Sequence, residues 1–116
     1  MIKGSCHCGT VTFEILETPE FVIACNCSIC RKLNTRWAYS HRTNMTLSAH
    51  KGATSLYIWG DKDLEFHSCK TCGCTTHWMA IDGSRYAVNC QLASEAAMED
   101  VRVRRFDGAD TWEFLD

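Results

Sequence analysis

This chain has a single proline, no low-complexity run, no long block of lysine or arginine and little that reads as helix. The near absence of disorder-promoting sequence, with 46% hydrophobic and 22% charged residues, excludes a disordered chain and leaves enough apolar surface for a modest core. The formal net charge is −2 and the pI about 6.2, so no nucleic-acid partner is expected. The one locally basic stretch, Val101-Arg102-Val103-Arg104-Arg105, alternates, which places its arginines on the solvent face of a strand. No apolar run approaches the length of a membrane span, so no membrane association is expected either. Met1-Ile2-Lys3-Gly4 opens the chain without an apolar signal segment, and a cytoplasmic location is the expectation.

With 116 residues, no linker and no repeat of fixed period, residues 1–116 read as one domain. The local pattern is mainly β. Val11, Phe13 and Ile15 alternate with Thr10, Thr12 and Glu14 in the manner of a half-buried strand. Further strands are expected at Phe21–Ala24, Trp37–Ser40, Met45–Ser48, Ser55–Trp59, Leu64–His67, Thr75–Ile81, Tyr86–Asn89 and Val101–Phe106. Gly60-Asp61 reads as a turn and Asp82-Gly83 as a hairpin. Only two helical turns are expected, Ser28–Leu33 with Ser28 as its cap and a second over 94–99 capped by Ser94. The architecture implied is short strands with cysteine clusters at their ends.

Against this sparse background stand nine cysteines. Cys6 and Cys8 lie in Gly4-Ser5-Cys6-His7-Cys8-Gly9, Cys25, Cys27 and Cys30 in Cys25-Asn26-Cys27-Ser28-Ile29-Cys30, and Cys69, Cys72 and Cys74 in Cys69-Lys70-Thr71-Cys72-Gly73-Cys74; Cys90 stands alone. The odd count, the missing signal segment and the one- or two-residue spacings argue against a disulfide framework. The same spacings let several sulfurs converge from one turn, which is metal-ligand geometry, zinc above all. Spacing leaves the partition open. Cys27 and Cys30 could join Cys69 and Cys72 as a zinc ribbon across 38 intervening residues, or Cys6 and Cys8 could join Cys69 and Cys72, leaving Cys25, Cys27 and Cys30 apart. The middle group could also be closed by Cys74, His67 or His77 as a fourth ligand.

Gly4-x-Cys6-x-Cys8-Gly9, then Cys25-x-Cys27-x-x-Cys30-Arg31-Lys32, then Phe66-x-x-Cys69-x-x-Cys72-Gly73 resembles the glutathione-dependent formaldehyde-activating family, which includes centromere protein V-type domains. Gly52, Tyr57, Asn89, Leu92 and Trp112 fit the same pattern, and the resemblance runs over nearly the whole chain. It implies a β-tent of stacked antiparallel sheets and two zinc ions. One would sit in a closed structural site of Cys6, Cys8, Cys69 and Cys72; the other would be held by Cys25, Cys27 and Cys30 with a fourth position open. Two departures are visible: Asn26 stands where the family often has His, and Leu33-Asn34-Thr35-Arg36-Trp37 is bulkier than usual.

The resemblance further implies a carbon–sulfur lyase that joins the glutathione thiol to formaldehyde or a related small aldehyde, with Cys25, Cys27 and Cys30 as the catalytic centre. Glutathione carries two carboxylates, and Arg31, Lys32 and Arg36 are the cations nearest the middle motif in sequence. Two other functions remain in view. One is a non-catalytic zinc module for a protein partner, which calls for an exposed apolar patch and a fully coordinated middle cluster. The other is methionine sulfoxide reduction, which calls for an activated free thiol; Cys90 is the sole isolated candidate, and its neighbours Asn89 and Gln91 carry no charge. Cys74 is expected as a packed thiol, His7, His41 and His50 on the surface, His67 and His77 near the third cluster, and Trp37, Trp59, Trp78 and Trp112 in the core.

Overall fold

The computed structural model describes residues 1–39 and 43–116, and among the described residues ten strands form two sheets. Chain order is β1 (Ile2–Ser5), β2 (Thr12–Ile15), β3 (Phe21–Cys25), α1 (Ser28–Leu33), β4 (Trp37–Tyr39), β5 (Met45–Ser48), β6 (Thr54–Tyr57), β7 (Leu64–Cys69), β8 (Thr75–Ala80), β9 (Tyr86–Asn89), a 3₁₀ turn (Cys90–Leu92), α2 (Glu95–Met98) and β10 (Arg102–Phe106). A three-stranded sheet runs β1-β2-β5, and a seven-stranded sheet runs β10-β3-β4-β9-β8-β7-β6. The pairing is antiparallel except at one edge, where β10 lies parallel to β3.

The mainly β architecture expected from the sequence is the one observed. Strand β1 is the element that the residue pattern did not announce: Gly4 and Ser5 are poor strand formers, yet Ile2 is fully buried and β1 pairs along β2 from Ile2↔Ile15 to Ser5↔Thr12. Ser40 and His41, expected in a strand end and on the surface, lie outside the described residues. Helix α1 is capped by Cys27 rather than Ser28, its sulfur accepting from the Cys30 N–H at 3.4 Å. Ser94 caps α2 as expected, its Oγ accepting from the Ala97 N–H at 3.1 Å.

The two faces of the large sheet do different things. In β3, β4 and β9, Val22, Ala38 and Val88 point one way and pack on Ile2, Phe13, Ile15 and Met45 of the small sheet, forming the principal core. The register pairs Ile23 with Trp37, and Ala87 with both Tyr39 and Trp78, so these side chains share the opposite face. There Trp37, Trp78, Phe66 and Ala87 are buried against α1 and Cys30. Trp37 and Trp78 are thus core residues as expected, whereas Trp59 and Trp112 are exposed: one follows the edge strand β6 and the other lies in the loop after β10. Strand β10 also departs from simple alternation. Arg104 is half-buried, its guanidinium carbon 3.6 Å from the Phe114 ring centre, while Val103 is exposed.

Phe13 joins the two sheets and is 2% exposed. Phe13→Ala should lower the unfolding free energy by about 3–5 kcal/mol, read from urea denaturation of the metal-loaded protein.

Candidate metal centres

Two groups of thiols converge, one where the turn after β1 meets the turn after β7 and one at the end of β3 and the start of α1. The Sγ atoms of Cys6, Cys8, Cys69 and Cys72 all lie within 4.8 Å of one another, and so do those of Cys25, Cys27 and Cys30. The ribbon pairing of Cys27 and Cys30 with Cys69 and Cys72 is therefore not the arrangement that the fold makes. Among the described residues, no His, Asp, Glu or further Cys atom joins the group of three within that distance.

The four-thiol group is made of two similar turns. After β1, the Cys6 N–H donates to Val11 O at 2.9 Å and the Gly9 N–H returns to Cys6 O at 3.0 Å; after β7, the Cys69 N–H donates to Cys74 O at 2.9 Å and the Gly73 N–H returns to Cys69 O at 2.9 Å. Gly9 and Gly73 hold φ of 84° and 80°, a region that a side chain would strain, which is why each motif ends in glycine. The Cys8 sulfur lies 3.7 Å from that of Cys6 and 3.6 Å from that of Cys69. A tetrahedral zinc with Zn–S bonds of about 2.3 Å sets its sulfurs about 3.8 Å apart, so these thiols fit the ion with little adjustment. Backbone N–H groups of Cys74 and Cys8 hold the Cys72 thiol down to about 5, ready to bind as thiolate. Cys74 thus supports a ligand through its backbone, in keeping with a packed, non-ligating role.

The three-thiol group is built by β3 and the start of α1. The Cys25 sulfur accepts from the Cys27 N–H at 3.5 Å, the Cys27 sulfur from the Cys30 N–H at 3.4 Å, and the Cys30 sulfur from the Trp37 indole at 3.3 Å. The Cys30 thiol, by hydrogen bonding to Cys25, together with the N–H groups of Cys27 and Gly108, draws Cys25 down to about 6; Cys30 is driven up by that same bond and by burial. One proton is effectively shared between them, and an ion would replace it. Three sulfurs with N–H donors turned on them suit a soft divalent cation such as Zn²⁺.

Around this centre the fold places residues that spacing did not reveal. The Tyr39 side chain is 48% exposed, yet desolvation of its hydroxyl end and then the charge of Cys30, Cys25 and Cys27 push the phenol above its usual range, while a hydrogen bond with Trp78 acts the other way. Its ring packs 5.6 Å from Trp78, and Arg85 lies over Trp78 at 5.5 Å. Asn26 turns from the cluster to Asp107, its Nδ2 donating to Oδ1 at 3.0 Å. Only alternation in β4 could have flagged Tyr39, and nothing local flagged Asp107 or Gly108. The bulky 33–37 stretch is largely spent on structure, since Thr35 and Trp37 are buried and the Trp37 indole serves Cys30.

Of the cations expected to receive carboxylates, Arg31 and Lys32 are exposed in the last turn of α1. Arg36 directs Nη1 to Asn34 Oδ1 at 3.2 Å and Thr35 O at 3.0 Å. His67 and His77 stack on each other with centroids 4.1 Å apart, and burial brings His77 down to about 3. His67 bonds Thr54 and Glu65, while His77 bonds Thr76. His7 and His50 are exposed. Asn89 serves backbone, accepting from Arg36 N and Gln91 N and donating to Thr75 O. Cys90 is 2% exposed and burial pushes it up to about 12, so it is an inert thiol; this removes the support for sulfoxide reduction.

Comparison with known proteins agrees with the arrangement. A family model described as "Glutathione-dependent formaldehyde-activating enzyme" matches residues 1–104. A Halomonas elongata protein named "Putative glutathione-dependent formaldehyde-activating enzyme" is 27% identical over 77 residues, 66% of this chain and 45% of that protein, so the chain spans under half of that relative's length in the match. A crystal structure of a Rhodobacter sphaeroides protein superposes with a TM-score of 0.67 and 26% identity, covering 87% of this chain and 98% of that one.

Elemental analysis of reduced protein should find two divalent ions per wild-type chain. Cys8→Ser should hold the four-thiol ion far more weakly, leaving one retained through gel filtration, while Cys90→Ser should keep both.

Proposed function

The chain belongs to the glutathione-dependent formaldehyde-activating family, and from that premise we propose that it is a carbon–sulfur lyase-type enzyme that joins the glutathione thiol to formaldehyde or a related small aldehyde at Cys25, Cys27 and Cys30. The observation that carries this reading is a group of three converging thiols with no fourth ligand among the described residues. In it the four-thiol group of Cys6, Cys8, Cys69 and Cys72 is structural, and the whole chain acts as one domain in a reducing, cytoplasmic setting.

A zinc ion held by the three thiols would supply an acceptor for a fourth sulfur and favour its deprotonated form. The thiol sulfur then bonds to the aldehyde carbon, the carbonyl π pair passes to oxygen, and the proton lost by sulfur ends on that oxygen. The product is the S-hydroxymethyl adduct, and atoms balance without a further reactant. The protein's residues bind and orient. Arg31, Lys32 and Arg36 offer charge to the two glutathione carboxylates, with Arg31 and Lys32 exposed to do so. Tyr39, exposed beside the thiols and protonated at neutral pH as a phenol is, offers an O–H where negative charge grows on the aldehyde oxygen.

In the cobalt-substituted protein, glutathione should add intensity to the thiolate charge-transfer bands, whereas S-methylglutathione should not. Bands that stay unchanged at millimolar glutathione would contradict the reading. Tyr39→Phe should lower kcat by about 100-fold with little change in KM for glutathione.

One observation favours a non-catalytic module that docks a protein. Leu56, Tyr57, Ile58 and Trp59 form a consecutive exposed run at β6, the edge of the large sheet. The same reading calls for a fully coordinated middle cluster, and in that respect the group of three thiols favours the enzyme.

A further inference from the structure

The segment that follows β10 returns across the mouth of the three-thiol centre. The Asn26 N–H donates to Phe106 O at 3.1 Å, the Asn26 Nδ2 donates to Asp107 Oδ1 at 3.0 Å, and the Ala109 N–H donates to Asn26 Oδ1 at 3.0 Å. One asparagine thus brackets residues 106–109 with its backbone and both ends of its amide. The second Asp107 oxygen accepts from the Thr111 N–H at 3.3 Å and the Thr111 hydroxyl at 3.0 Å, and backbone bonds from Trp112 N to Asp107 O and from Asp107 N to Glu113 O close the loop.

What the bracket holds in place is Gly108. A β-carbon added there would sit 2.5 Å from the Cys25 sulfur and 3.4 Å from the Cys27 β-carbon. Backbone angle does not require this glycine, which is not among the positive-φ residues; proximity to the sulfur does. The Gly108 backbone therefore packs directly against the Cys25 sulfur. The family match ends at residue 104, so the loop lies wholly beyond it.

We propose that residues 106–111 are a working part of the three-thiol centre, in which Asn26 and Asp107 are positioning residues that hold the Gly108 backbone against the Cys25 sulfur and so set how tightly that centre holds its metal ion. The inference rests on the reading that Cys25, Cys27 and Cys30 bind an ion. A loop held against a ligating sulfur fixes where that sulfur sits, and a ligand already in place binds an ion more tightly than one that must be ordered first. Partners that orient metal ligands in this manner typically govern about 10- to 100-fold in affinity. The position of Asn26 inside the cysteine motif then has a purpose: its side chain is committed to holding this loop, not to the reacting sulfur.

The test is chelator competition on the full chain loaded with cobalt, following thiolate charge-transfer bands and metal retained per chain. Asp107→Ala removes the bracket without adding bulk, and Gly108→Ala pushes a methyl group toward the sulfur. Both should weaken the three-thiol ion by about 10- to 100-fold, leave the four-thiol ion unchanged, and alter the charge-transfer bands. Asp107→Asn, which keeps an oxygen opposite Asn26 Nδ2, should recover most of the affinity. Equal retention of both ions in Asp107→Ala overturns the proposal, even where Gly108→Ala fails to fold. Equal weakening of both ions also overturns it, since that marks general destabilisation. A wild-type chain that takes only one ion overturns it together with the reading it rests on, whereas a wild type with two ions and an insensitive variant overturns the bracket alone.

Discussion

The convergence of Cys6 and Cys8 with Cys69 and Cys72 is the constraint on which the rest of this structure depends. It ties the turn after β1, in the small sheet, to the turn after β7, in the large one, and it spans 61 residues between Cys8 and Cys69. A loop of that length is entropically unfavourable to close by weak contacts alone. Four sulfurs within 4.8 Å could hold one metal ion, and an ion there would supply a closure whose strength a 116-residue chain with a modest core would otherwise lack. Cys6 and Cys69 are buried beside Val11 and Ala53, so the closure is continuous with apolar packing.

With the sheets joined this way, each face of the seven-stranded sheet has one task. Val22, Ala38 and Val88 pack on the small sheet and make the stable core. The other face is not covered by a second sheet; it carries α1, the three thiols, Trp37 and Trp78. Trp37 belongs to both aspects, filling space beneath the cluster while its indole N–H is aimed at the Cys30 sulfur. The motif's own N–H groups turn on two of the sulfurs, and neighbours supply the rest: Trp37 donates to Cys30, and the loop after β10 lies against Cys25.

Several strands were legible because one of their faces is buried, and burial imposes a period of two, as on Val11, Phe13 and Ile15 or along β5. Strand β1 was not, since Gly4 carries no side chain to register the period and its place is set by pairing with β2. Trp59 and Trp112 misled for a related reason: hydrophobicity reports a tendency to be buried, and a residue at a sheet edge or in a terminal loop can find nothing to bury it. The cap of α1 fell one residue early because a cysteine sulfur did what a serine hydroxyl usually does.

Cysteine spacing by itself determined that thiols gather in clusters able to hold a metal ion, because two sulfurs one or two residues apart cannot avoid sharing a locality. The same spacing fixed which short turns supply the ligands. Only the tertiary structure decided which turns meet, for that depends on the order of strands in two sheets, a matter of contacts between residues far apart in sequence. It also decided what surrounds the three-thiol centre. Tyr39 faces it through strand register, Trp37 through burial, and Gly108 through a loop 81 residues away from Asn26 to Asp107. No local rule encodes these, since each is an outcome of packing the whole chain.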